Sequence, residues 1–250
     1  MAFGTLYLIP STLGDYDPAL VLPAPVLERL KSIKRFVVEE TRTARRFLSA
    51  AGLKGHIGEL DLRELNEHTK PSEIEGFINM FSDASGNPAD VGLITEAGLP
   101  AVADPGTQIV ALCHAHKIKV VPMVGPSSLM LALMASGLNG QSFAFAGYLP
   151  AKTEERRRAI TEVEKRSLQL HQTQIFIETP YRNDSLMADL LQSLSPATML
   201  TVAANITTDN EYIDTKSVRE WRKMPAAIGK RPCVFLLLAN KKSSWIKKEK

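Results

Sequence analysis

Three stretches of this chain set small residues, prolines and acids directly after an apolar run, the arrangement in which a backbone can be offered to a ligand. The first is Ile9-Pro-Ser-Thr-Leu-Gly-Asp15. It matches neither the dinucleotide glycine pattern nor a Walker loop, so a plain turn competes with a ligand loop. The richest is Val91-Gly-Leu-Ile-Thr-Glu-Ala-Gly-Leu-Pro-Ala-Val-Ala-Asp-Pro-Gly106, where glycines, prolines and two acids fix a backbone shape before a helix. Asp104 could cap that helix whatever the loop binds. The third is Val124-Gly-Pro-Ser-Ser128, where Ser127 or Ser128 could cap a helix or present a hydroxyl to a cofactor. With no G-x-S-x-G elbow here, a serine nucleophile lacks support.

Weaker groupings complete the survey. Asn66-Glu-His68 could be a polar cluster, a base or a surface loop, and Ile175-Phe-Ile-Glu-Thr-Pro-Tyr-Arg182 ends a strand in polar residues. His114 and His116 lie two apart on a helix, point to different faces, and cannot copy the i, i+4 metal pair. The two cysteines, Cys113 in a helix and Cys233 in a strand, read as core residues and not as a disulfide framework. The sequons at Asn183 and Asn205 carry no weight without secretion.

The elements that must position these loops alternate. Short apolar runs at 6–9, 36–38, 91–95 and 118–123 read as strands, with helices at 25–32, 41–51, 71–82 and 107–116 between them, several opening on proline. That is the pattern of a parallel sheet. After Gly140 the pattern changes: a strand at 143–148, a charged helix at 153–169, then strands at 174–177, 200–203, 211–213 and 234–238. The last three are too close for helical crossovers everywhere, so antiparallel pairs are expected. The reading is α/β with an N-terminal domain at 1–124, a mixed-sheet domain at 125–240 and a basic tail at 241–250.

Composition agrees with a folded chain: 250 residues, 44% hydrophobic and 23% charged. The N-terminus lacks a basic start and a long apolar run, and no stretch reaches membrane-spanning length, so the chain reads as cytoplasmic. The net charge of +3 is uneven, since residues 216–250 carry +9 and the rest −6. Such a block could follow phosphates or simply stay solvated.

Taken in order, these segments resemble the tetrapyrrole methylase family, the class III S-adenosylmethionine methyltransferases, and within it the branch that methylates a ribose 2′-hydroxyl in small-subunit ribosomal RNA. The residues that carry the resemblance are Leu6-Tyr-Leu-Ile-Pro10 with Leu13-Gly14, Glu39-Glu-Thr-Arg42, Asn66-Glu67, Glu96-Ala-Gly98 through Asp104-Pro-Gly106, Val121-Pro122 with Gly125-Pro126-Ser127, Ser136-Gly-Leu138, Gly147-Tyr-Leu-Pro-Ala-Lys152 and Glu178-Thr-Pro-Tyr-Arg182. They span Leu6 to about Leu238. The chain departs from the family pattern at Glu96-Ala-Gly-Leu-Pro100, at Glu39-Glu40, and in stopping soon after Leu238, where the ribosomal RNA branch carries a further segment.

The resemblance implies two α/β domains with the cofactor, S-adenosylmethionine, in a cleft between them, and a homodimer. It places the cofactor against Pro10, Leu13, Gly14 and Asp15, against Glu96, Ala97, Gly98 and Asp104, against Ser127 and Ser128, and near the main chain of Tyr181 and Ala204. No metal is needed, because the sulfonium already activates the methyl group. A ribose hydroxyl is a poor nucleophile, so Glu40, Glu67, His68 and Glu96 are candidates to take its proton. Arg42, Lys152, Arg156, Arg157 and Arg182 are expected at the cleft mouth on RNA phosphates, and the tail lysines around Trp245 could add grip. A porphyrin-type C-methyltransferase and a non-catalytic RNA-binding module remain the alternatives.

Overall fold

A computed structural model describes residues 2–240; the basic tail at 241–250 lies outside the described residues. The chain forms two compact units that divide between Ser127 and Ser128. The N-terminal unit holds β1 (Leu6–Leu8), α1 (Ala24–Ser32), β2 (Arg35–Val38), α2 (Thr41–Leu48), β3 (Asp61–Glu64), α3 (Pro71–Ile74), β4 (Val91–Ile94), α4 (Thr107–Ala115) and β5 (Val120–Pro122). Its five strands pair in the order β3-β2-β4-β1-β5, all parallel.

A parallel sheet needs cover on both faces, and the alternation along β2 supplies it. Phe36 and Val38 pack with Val26, Leu30 and Leu48 of α1 and α2, while Val37 packs with Leu93, Ile109 and Cys113 on the other face. Gly92 makes room for this core: a Cβ there would stand 2.6 Å from Phe36 Cδ1. Cys113 and Cys233 are both buried, which pushes each thiol up to about 12.

Three elements differ from expectation. The edge strand β3, Asp-Leu-Arg-Glu, has no apolar run because both its faces are largely exposed, so periodicity could not flag it. The helix expected at 71–82 is α-helical only to Ile74 and continues as a 3-10 helix from Glu75 to Phe81, with Gly76 weakening the α form at the changeover. The helix expected at 41–51 ends at Leu48 and widens into a π turn, Ser49–Leu53, closed by Gly52 at φ +103.

The C-terminal unit holds α5 (Ser128–Ser136), β6 (Phe143–Tyr148), α6 (Thr153–Leu170), β7 (Thr173–Glu178), α7 (Asn183–Ser193), β8 (Met199–Ala204), β9 (Tyr212–Ser217), α8 (Val218–Lys223) and β10 (Cys233–Leu238). The expected antiparallel pairs are present: β10 runs antiparallel to both β7 and β8, and β8 to β9, with β6 parallel to β7. Its core stacks Phe176 on Phe235 at 5.8 Å and buries Trp221, whose Nε1 donates to Leu200 O at 2.8 Å. Helices α7 and α8 were not read from the sequence; α8 is a two-turn element held by a Ser217–Glu220 capping box.

Candidate functional site

In the N-terminal sheet the chain leaves β1 toward β2 on one side and leaves β4 toward β5 on the other, so β1 and β4, which are neighbours, flank the topological switch point. Ligands of open α/β sheets bind there, beyond the strands' carboxyl ends. The loops that follow β1, β4 and β5 converge at that place. Ser11 N donates to Gly98 O at 2.9 Å, and Met123 N to Leu8 O at 3.0 Å. Two glycines permit the approach: a Cβ on Gly125 would lie 2.3 Å from Pro10 Cβ, and one on Gly98, at φ +78, 3.1 Å from Leu13 Cδ2.

The loop after β4 is strained. Ala101 and Ala103 both sit at φ +63, a region that costs a non-glycine residue on the order of 1 kcal/mol and that concentrates at ligand sites. Asp104 fixes the shape, its Oδ1 accepting from Ala101 N at 3.0 Å and from Gly106 N at 2.6 Å. It therefore holds the turn before α4, whose N-cap is Gly106. Its Oδ2 is buried with no partner among the described residues, beside a void of about 10 Å³ that has room for a single small polar group. A buried acceptor left bare costs about 1–3 kcal/mol, so this atom fits a ligand that brings a donor.

The candidate bases separate by environment. Glu40 caps α2, accepting from Arg42 N at 2.8 Å and from both Thr43 N and Thr43 Oγ1 at 2.6 Å. The Thr43 hydroxyl and those amides hold its carboxyl below the usual range, which makes it a weak base. Glu67 Oε1 and His68 Nε2 lie 3.7 Å apart, with side chains 87% and 84% exposed. They follow β3, two strand spacings or about 10 Å from β4. Glu96 differs: desolvation pushes its carboxyl up, Glu39 and then Glu40 add to the rise, and a Thr43 hydrogen bond opposes it. Glu39, named in the sequence only as part of the Glu39–Arg42 motif and given no site role there, ties β2 to the β4 loop by accepting from Thr95 Oγ1 at 2.8 Å and Glu96 N at 3.3 Å.

The structure thus gathers Pro10, Leu13, Gly14, Asp15, Glu96, Ala97 and Gly98 at one edge of the N-terminal sheet, with Ser127 closing that unit and Arg42 exposed on the first turn of α2. Beside them, between the β1 loop and α2, opens a cleft of about 790 Å³. Ser128, Lys152, Arg156, Arg157, Tyr181, Arg182 and Ala204 belong to the other unit. There the carboxyl ends of β6, β7 and β8 share one edge of the sheet, since Cys233 of β10 stands opposite both Glu178 and Ala204. Tyr181 is 73% exposed at this edge, and the chain leaves Ala204 through Asn205 and Thr207 at φ +51 and +72.

One expected phosphate contact is corrected. Arg156 is 3% exposed, its Nε donating to Asp189 Oδ2 at 2.7 Å and its other nitrogens to Ala151 O and Ser185 Oγ, so its charge is satisfied inside the unit. Arg157 shares Asp189 at 2.8 Å, and Arg182 donates to Glu178 Oε1 at 2.8 Å, which leaves both only partly available. Lys152 stays exposed, 3.4 Å from Glu155.

No family profile matches the chain. It is 31% identical over 226 residues to ribosomal RNA small subunit methyltransferase I of Neisseria meningitidis serogroup B, covering 90% of this chain and 72% of that protein. The corresponding protein of Vibrio cholerae is 29% identical over 215 residues, covering 86% and 69%. Among solved structures, the methyltransferase CobJ superposes with a TM-score of 0.61 at 15% identity over 94% of both chains. Uroporphyrin-III C-methyltransferase from Thermus thermophilus, complexed with S-adenosyl homocysteine, superposes with 0.54 at 18% identity over 94% and 97%. At those identities the structures speak to the two-domain α/β fold alone.

Proposed function

Because this chain belongs to the ribosomal RNA small subunit methyltransferase I family, a branch of the tetrapyrrole methylases, we propose that it transfers a methyl group from S-adenosylmethionine to a ribose 2′-hydroxyl of small-subunit ribosomal RNA. The observation that carries this reading is the 31% identity over 226 residues, a length greater than either unit, so that the likeness spans both.

The cofactor supplies an electrophilic methyl, which leaves the protein to bind, orient and assist the acceptor. In this reading the strained loop from Gly98 to Asp104 and the loop from Pro10 to Asp15 hold the cofactor, with Asp104 Oδ2 meeting one of its donors. Ser127, at the end of the same unit, is a further contact there, while Ser128 and the main chain at Tyr181 and Ala204 are the candidate contacts of the C-terminal unit taken by itself. Glu96 is the base. A carboxylate raised toward the working pH accepts a hydroxyl proton better than one held low, which sets Glu96 ahead of Glu40. Arg42 and Lys152, both exposed, are the retained phosphate contacts.

Two further features belong to the same proposal. No helix among the described residues is long and apolar enough to cross a membrane, and the cytoplasmic location in this proposal follows from the proposed ribosomal RNA substrate. A homodimer is supported by exposed apolar side chains on the C-terminal unit: Phe143 and Phe145 on the edge strand β6, and Met134 on α5. The deciding experiment incubates the protein with S-adenosylmethionine and unmodified small-subunit RNA and locates the methyl by nuclease digestion and mass spectrometry. A ribose-methylated nucleotide is expected. An unmodified RNA alongside methylation of a uroporphyrin would refute the proposal in favour of the porphyrin reading.

A further inference from the structure

The 790 Å³ cleft of the N-terminal unit lies within the size range of ligand sites; Leu13, Gly14, Asp15, Glu96 and Ala97 of the proposed cofactor loops form one rim, so its remaining wall faces whatever lies beside the cofactor, and none of the expected phosphate contacts lines it. Its wall on the helix side carries Arg45 and Arg46 from the end of α2 and Lys54 from just past the π turn, all three exposed. Its other side carries Ser11, 2% exposed, whose Oγ has no partner among the described residues. The half-buried rings of Tyr16 and Phe47 add aromatic surface. Arg46 Nη2 meets Asp15 Oδ2 at 2.8 Å, but with side chains 66% and 91% exposed this pair is weak and can exchange for a phosphate.

We infer that this cleft takes one unstacked RNA nucleotide, its phosphate on Arg45, Arg46 and Lys54 and its base against Tyr16 and Phe47, an assignment that rests on the RNA reading above. Each component calls for that chemistry. Guanidinium groups bind phosphate oxygens in a planar, bidentate way, and aromatic faces accept any base by stacking. The buried Ser11 hydroxyl needs a hydrogen-bonding partner, which ribose hydroxyls and base edges carry and an aliphatic ligand does not. A single-stranded nucleotide displays all of these at once, whereas a base inside a duplex hides its faces.

The test compares the full chain with Arg45→Gln/Arg46→Gln/Lys54→Gln by fluorescence anisotropy, using a labelled single-stranded fragment of small-subunit RNA and, separately, adenosine monophosphate. Circular dichroism and S-adenosylhomocysteine calorimetry serve as controls. The triple variant is expected to bind the RNA at least tenfold more weakly and to flatten the slope of log K against log salt by about 1 to 2, as one or two counterions cease to be released. Ser11→Ala, which keeps the backbone bond to Gly98, is expected to weaken RNA binding several-fold without changing that slope. RNA affinity and slope equal to wild type in a folded triple variant overturn the assignment, and so does a loss confined to adenosine monophosphate. The two readings fail separately. If the wild-type chain methylates ribosomal RNA while the triple variant binds RNA normally, only the cleft assignment falls. If RNA binding depends on the three cations but no methyl is transferred, only the functional reading falls.

Discussion

Gly98→Val would test whether the convergence of the β1, β4 and β5 loops is a structural necessity of the site. Gly98 is buried at φ +78, where a β-branched residue is a genuine outlier costing about 2 kcal/mol. Its Cβ would start 3.1 Å from Leu13 Cδ2 and 3.5 Å from Pro126 O, and the two valine methyls extend beyond that point. Overpacking of this kind adds about 1 to 2 kcal/mol. The sum is about 3 to 4 kcal/mol, unless the loops part and the Ser11 N to Gly98 O bond of 2.9 Å is lost instead. Either outcome displaces the Pro10–Asp15 loop. With a urea dependence of about 2 kcal/mol per molar, the transition of the N-terminal unit should move down by about 1.5 to 2 M. Calorimetry should find S-adenosylhomocysteine binding abolished in variant protein that is still folded in buffer. Gly98→Ala, with no methyls beyond Cβ, should lose less on both measures. An unshifted urea midpoint together with wild-type affinity in the valine variant would refute the packing argument and remove this loop from the site.

Three other predictions follow from particular side chains. Asp189→Ala strands Arg156 and Arg157, whose Nε atoms lie 2.7 and 2.8 Å from its carboxylate, and should cost the C-terminal unit about 3–5 kcal/mol in urea unfolding, whereas Arg156→Met/Asp189→Leu should cost far less; equal losses would refute the buried-charge explanation. If Glu96 must be deprotonated to accept the hydroxyl proton, the rate climbs with pH through its pKa, which desolvation, Glu39 and Glu40 place above the ordinary 4.5. Glu39→Gln should therefore move that limb to lower pH and Glu96→Gln should cut kcat by about 10²–10⁴; a stationary limb or a near-normal kcat in single-turnover rates would count against Glu96. Deleting Lys241–Lys250 should raise the apparent KM for RNA several-fold at physiological salt and leave cofactor affinity unchanged; identical KM values at low and moderate salt would show the tail to be merely solvated.

Much of the architecture was legible along the chain because it rests on local causes. Prolines at helix starts, short β-branched runs and loops dense in glycine and proline mark where strands end, and the close spacing of the later strands requires antiparallel pairs. The order of segments was sufficient to suggest the family. Tertiary structure alone decided what those loops surround. Only the strand order β3-β2-β4-β1-β5 puts β1 beside β4, and only then does Ser11 meet Gly98, 87 positions along the chain. Arg156 and Arg157 are identical neighbours in sequence, yet one is buried on Asp189 and the other reaches toward solvent, because 100° of helix rotation separates them. Nothing in the sequence distinguishes Arg45 and Arg46 from other arginines; the π turn and the β1 loop enclose a cleft beside them. Glu96 is raised as a base by burial and by Glu39 and Glu40, more than 50 residues away, whereas Glu40 is lowered by its own cap contacts to Thr43 and Arg42. Burial, pairing and proton affinity are set by whatever the fold brings within a few ångströms, and that proximity has no local signature in the sequence.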